Sequence, residues 1–177
     1  LKKAQELGYA ERNPEADIEG KDACRKIAIL SSLAFGANVE AKDVHTEGIT
    51  SISDTDMKYA SQMGMVIKLF GTSRMEKDRR VFAMVAPMLV KPDHPLYHVD
   101  DVMNGILVRG DVIGDLMFYG AGAGKLPTAS AVVADVIDEA CNMDRSIMRR
   151  WTKEKLELEE FSACTNRFFV RIRGKRE

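Results

Sequence analysis

Apolar residues at Ala23, Ile27, Leu30 and Ala34 recur every three to four positions between Lys21 and Phe35. That is the period of a helix with one buried face. Gly36 supplies its stop, and the turn over residues 17–20 leads into it. HTEGITSI, residues 45–52, predicts a short strand. Ser53 or Asp54 caps a second helix that runs to about Met63 and ends at Gly64. The period then shortens. MVIKLFGTS and RRVFAMVAPMLV carry the β-branched and apolar content of strands. After turns at Pro92 and Pro95, VMNGILVRG and DVIGDLMFYG predict two paired strands with a tight hairpin at Gly110-Asp111.

AGAGKLP leads into PTASAVVADVIDEACNM, where Pro127 suits the first turn of a third helix spanning about 126–141. Residues 151–160 are charge-rich and predict a linker or an exposed helix, and NRFFVRIRGKRE begins another strand. The sum is an α/β (α+β) domain: a mixed open β-sheet with helices packed on one face. At the N-terminus, LKKAQELGYA has the pattern of a helix tail ending at Gly8. Together with the strand start at the C-terminus, it suggests a piece of a longer protein.

Composition narrows the function classes. A chain of 177 residues holds one domain with a real core. A net charge of -1 gives no field for nucleic acid or an anionic membrane. No apolar run approaches the length of a membrane span. Cys24, Cys141 and Cys164 are far apart, which supports neither a disulfide framework nor a zinc site and makes a reducing cytoplasm the expected location. They fit as small core or half-buried residues. His94 and His98 have helical metal spacing, but Pro95 stands between them, so they read with His45 as surface or turn residues and no metal is expected. The ten methionines are core filler.

Two stretches carry candidate chemistry. In GYAERNPEADIEGKDACRK, Glu11, Glu15, Asp17 and Glu19 crowd a broken loop ahead of a helix bearing Asp22 and Lys26. Residues four apart share a helix face, so Asp22 and Lys26 are either an ordinary surface ion pair or part of a site. Acids folded over the helix would hold an ammonium group and tune a lysine as proton donor. In YGAGAGKLPTAS, a P-loop would need Gly where Tyr119 stands and Ser or Thr where Leu126 stands. The dinucleotide fingerprint fails because Lys125 takes its last glycine position. What remains is either a tight strand-to-helix turn or a glycine loop that lets a cofactor approach the backbone.

The two stretches together resemble the homoserine dehydrogenase family. The first is similar to its G-Y-x-E-x-D-P-x-x-D-x-x-G-x-D-x-x-x-K, with Asn13 in place of the usual Asp. The second is similar to its Y-G-x-G-A-G-x-x-P-T-A-S-A-V-x-x-D. The resemblance covers residues 1 to about 141. It implies reversible reduction of L-aspartate 4-semialdehyde to L-homoserine with NADP or NAD, in threonine and methionine synthesis.

The resemblance also implies residue roles. Lys26 falls on the catalytic lysine, Glu11 and Asp22 on substrate-binding residues, and Asp17 on a further acid of the signature. Gly8 and one of Gly120 and Gly122 fall on backbone positions near the cofactor. It further implies a preceding Rossmann-type domain on which helix 126–141 packs. Residues 1–145 would be a catalytic and dimerisation domain, and 146–177 a linker and the first strand of a regulatory domain. The expected assembly is a homodimer or higher homo-oligomer acting on a small molecule. Two other readings stay open: Lys26 as a Schiff-base nucleophile, as in aldolases, or a non-catalytic ligand-binding and dimerisation module.

Overall fold

The structure is a computed structural model that describes residues 13–76, 79–145, 151–163, 165–172 and 174. The mixed α/β class expected from the pattern holds, with the strands divided between two sheets. One turn of helix, α1 (Glu15–Ile18), leads into α2 (Lys21–Phe35). β1 (His45–Thr46), α3 (Asp54–Gln62), β2 (Val66–Met75) and β3 (Val81–Val90) follow. β4 (Met103–Gly110), β5 (Gly114–Ala121) and α4 (Lys125–Cys141) come next. β1, β3 and β2 form one sheet in that order, β1 parallel to β3 and β2 antiparallel to it. β4 and β5 form an antiparallel pair of their own.

β3 is the centre. Its run VFAMVA is buried throughout, with Val81 and Val85 fully enclosed. Alternate side chains of a strand point to opposite faces, and the two faces of β3 meet different partners. Ala83 and Val85 join Cys24 and Ala28 of α2 together with Val39 and Val44. Phe82, Met84 and Ala86 pack with Met88 and Phe161. The guanidinium of Arg74 sits over the Phe82 ring at 4.3 Å.

The buried face of α2 differs from the expected stripe. Cys24, Ala28, Ser31 and Ser32 are buried, Ala23 and Ile27 flank them, and Ala34 is exposed. Hydroxyls are not counted as apolar, yet these two are satisfied inside. Ser31 Oγ donates to Ile27 O at 2.6 Å, and Ser32 Oγ donates to Ala28 O at 2.9 Å. Ser32 Oγ also accepts the Val39 amide at 2.9 Å. Small residues here let the helix lie close to the sheet. A Cβ on Gly71 of β2 would stand 3.0 Å from Ile27 Cβ.

Gly36 ends α2 in the left-handed region at φ +75, as expected. The second helix carries a full capping box: Ser53 Oγ accepts the Asp56 amide while the Asp56 carboxylate accepts the Ser53 amide at 2.9 Å.

Other expectations shift. Only His45 and Thr46 of HTEGITSI lie in a strand, because the chain leaves β3 at Gly48 to bond the loop before α2 instead. The β4–β5 hairpin turns through residues 111–113, with Gly114 at φ +76, a longer turn than the expected Gly110-Asp111 pair. Residues 151–160 are extended rather than helical. Leu156 N donates to Asn38 O at 2.9 Å, and Glu159 N donates to Val81 O at 2.9 Å. Residues 165–172 form no strand among the described residues, since no ladder partner lies alongside them. Phe168 instead meets Phe161 edge-on at 6.2 Å, and Arg171 reaches Asp56 at 3.1 Å and Ser53 Oγ at 2.7 Å. Cys24 is buried and donates to Ala41 O, whereas Cys141 is exposed, contrary to expectation. Cys164 and the first twelve residues lie outside the described residues, as do Arg173, Lys175 and Arg176.

The capping box sets a pH test. Hydrogen bonds from Ser53, then the Arg171 charge, hold the Asp56 carboxyl below the usual carboxylate range. A depressed folded-state pKa stabilises the fold above the unfolded value and loses that effect as pH falls through the folded value. The stability gap between wild type and Asp56→Asn should therefore be full above about pH 4 and shrink in stronger acid. Ser53→Ala should lower stability by about 1 kcal/mol in denaturant titrations.

Candidate functional site

The site begins where the chain enters α2. Gly20 precedes the helix in the left-handed region at φ +74, a conformation open to glycine. A Cβ there would also meet Val85 Cγ1 at 3.1 Å and Thr46 Cγ2 at 3.3 Å. The Cys24 amide donates to Gly20 O at 2.8 Å and starts the helical ladder. Asp22 then lies in the first turn, where a carboxylate complements the helix dipole.

One turn later, Lys26 Nζ stands 2.7 Å from Asp22 Oδ2. The pair is open: the Lys26 side chain is 64% exposed and that of Asp22 43%. Asp17 sits in α1 beside this helix, exposed, and among the described residues its carboxylate has no hydrogen-bond or ion-pair partner. Glu15 is engaged by Lys21 at 2.5 Å, and that hydrogen bond and charge lower its pKa. Asn13, the departure in the signature, accepts the Glu15 amide at 3.3 Å and so serves the α1 turn. Glu11 and Gly8 lie outside the described residues.

The glycine loop belongs to the other sheet. Gly120 is near the end of β5, and a Cβ there would meet nothing within 4 Å, so its backbone is open to an approaching group. Gly122 differs: a Cβ would stand 2.8 Å from Asn104 Nδ2, so the Asn104 side chain fills its space. Gly124 caps α4 without any side-chain hydrogen bond to the first helical amides. Among the described residues no group of three or more His, Cys, Asp or Glu is arranged to hold a metal ion. None of the described helices is long and apolar enough to cross a membrane. His94 is fixed in the proline turn by accepting the Leu96 amide at 3.1 Å.

Two glycines that place the site escaped the pattern reading, Gly71 under α2 and Gly48 beneath the α1 loop. A glycine inside a strand or just after one is the signal that marks such close approaches.

The mixed α/β scaffold presents a carboxylate-paired lysine on one helix and a glycine-led helix end elsewhere. The homoserine dehydrogenase family model matches residues 1–137, and the chain belongs to that family. The homoserine dehydrogenase of Synechocystis is 45% identical over 175 residues, 97% of this chain and 39% of that protein. The crystal structure of the Thiobacillus denitrificans homoserine dehydrogenase superposes with a TM-score of 0.79 at 39% identity, covering 89% of this chain and 39% of that one. A hyperthermophilic archaeal homoserine dehydrogenase solved in complex with NADPH superposes with a TM-score of 0.61 at 28% identity, over 84% of this chain and 40% of that one. The chain thus spans about two fifths of the length of these relatives.

An exposed ion pair four residues apart on a helix contributes only a few tenths of a kcal/mol. Asp22→Asn should therefore change unfolding free energy by less than about 0.5 kcal/mol in urea titrations. A larger loss would mean that the pair holds the helix rather than a ligand.

Proposed function

We propose that the protein carrying this chain reversibly reduces L-aspartate 4-semialdehyde to L-homoserine with NADPH or NADH, and that this chain supplies the substrate site and the catalytic lysine. The observation that carries the proposal is the Lys26–Asp22 pair at 2.7 Å, open to solvent beside an unpaired Asp17, within a chain of this family.

The substrate is an amino acid that carries an aldehyde. Its ammonium group needs carboxylates, and Asp17 and Glu11 supply them. Its carbonyl oxygen becomes an alkoxide as the carbon is reduced, and the Lys26 ammonium stabilises that charge and gives up a proton to it. Asp22 holds the Lys26 ammonium within reach of that oxygen. The nicotinamide nucleotide supplies the hydride. The open backbone at Gly120 fits its approach, the filled space at Gly122 argues against that residue, and Gly8 is the third position.

Apolar side chains left open on the described elements fit the wider arrangement. Val132, Val133, Val136 and Ile137 of α4 are each more than half exposed, which suits packing on a nucleotide-binding domain elsewhere in the protein. Ile106 opposite Phe118 and Val108 opposite Leu116 leave an apolar face on the β4–β5 sheet that suits pairing with a second subunit. Residues 1–145 would then be the catalytic and dimerisation domain, and 146–177 the connection toward a regulatory domain.

Lys26→Ala in the whole protein should lower kcat for semialdehyde reduction by a factor on the order of 10² or more, with little change in stability. A change confined to KM would remove Lys26 from the proton-donor role. In the reverse direction Lys26 must be neutral to accept the proton, so homoserine oxidation should rise from about pH 6 to about pH 10. A flat profile would refute the assignment.

A further inference from the structure

The segment that leaves β1 is the floor of the α1 loop. The Glu47 amide donates to Val85 O at 2.7 Å, which fixes the segment to the central strand. Two residues later the Ile49 amide donates to Ile18 O at 2.8 Å, which fixes the loop to the segment. Gly48 lies between these two bonds, half-buried and outside the left-handed region. Its backbone conformation is therefore open to any residue, and the demand for glycine there is purely spatial.

A Cβ at Gly48 would stand 2.3 Å from Ile18 O, 2.6 Å from Glu19 Cα and 3.0 Å from Glu19 C. All three are backbone atoms of the turn that joins Asp17 to Gly20. They cannot yield by a rotamer change, so the turn itself would have to lift. At the other end of the turn, a Cβ on Gly20 would meet the same segment, Thr46 Cγ2 at 3.3 Å and Glu47 O at 3.4 Å. Backbone thus lies on backbone where Gly48 meets the turn, and the Gly20 end is held close by side chains as well. The height of the turn above β1 sets where the Asp17 carboxylate stands relative to the first turn of α2.

We propose that Gly48 is a positioning residue: by lacking a side chain it lets the Ile18–Gly20 backbone seat on the β1 exit and thereby fixes Asp17 for the substrate ammonium group. This role rests on the homoserine-site reading of the loop. It does not involve Lys26, so it acts on substrate binding and leaves the proton-donor step in place.

Gly48→Ala in the whole protein should raise KM for homoserine about tenfold or more. KM for the nucleotide should stay within about twofold, and the pH dependence of kcat should keep its shape. Gly64→Ala is the control: Gly64 has a left-handed φ of +68, unlike Gly48, and nothing within 4 Å to meet a Cβ, so the change strains the local backbone without pushing on a neighbour. It should lose some stability without moving KM for homoserine. Ile49→Pro removes the hydrogen bond to Ile18 O without placing a Cβ at 48, and should raise the same KM. It decides the matter if Gly48→Ala does not fold. A folded variant of either kind with KM for homoserine within about twofold of wild type overturns the role of Gly48. A wild type that does not oxidise homoserine at all overturns the reading of the site itself.

Discussion

Everything described here hangs on the burial of β3. A strand enclosed on both faces must have each face covered, and the two coverings come from opposite ends of the chain. α2 lies on one face, close because Gly71, Ser31 and Ser32 keep side chains small where helix and sheet meet. Phe161 lies against the other, with its ring stacked on His45 at a centroid distance of 4.1 Å. The helix that carries Asp22 and Lys26 is thus held by its inner face while its outer face stays free. A rigid inner contact with an open outer face is what a helix needs to present charged groups to a ligand.

The Lys26 pair is unremarkable as a stabilising element and suited to chemistry for the same reason. Its two groups are solvated, so neither is committed to the fold. Lys68 makes the contrast. Its ammonium is largely covered, and it donates to Val99 O and to Asp100 at 2.8 Å, so it ties β2 to the segment before β4. That lysine is structural by its partners. Lys26 has one carboxylate and open space.

Local signals were the legible ones. Gly36 and Ser53 mark helix ends through bonds within a few residues, and β4 and β5 are neighbours joined by a short turn. The spacing of Asp22 and Lys26 settles their proximity on any helix, although it could not separate a surface pair from a site; the signature around them is what makes a site the reading to test. What stayed hidden depends on distant partners. The inner face of α2 includes two serines because their hydroxyls bond to the preceding turn and to Val39. The strand expected over 45–52 stops early because residues from the α1 loop take over its hydrogen bonds. Gly122 looked equivalent to Gly120 until Asn104, eighteen positions earlier, was seen to fill its space.

The extended segment 151–163 has a consequence for how the chain comes to its fold. It bonds to Asn38 and Val81, and Arg80 meets Glu159 across 79 positions of sequence. Contacts of such separation close long loops, whose entropy must be met before the contacts contribute, and they slow folding. During synthesis from the N-terminus, β2, β3 and α2 emerge well before this segment does. Until Phe161 arrives, the Phe82, Met84 and Ala86 face of β3 lacks its cover. A nascent chain at that stage shows an apolar strand face to its surroundings, and the interval before residues 151–163 emerge is when aggregation or chaperone capture has its opening.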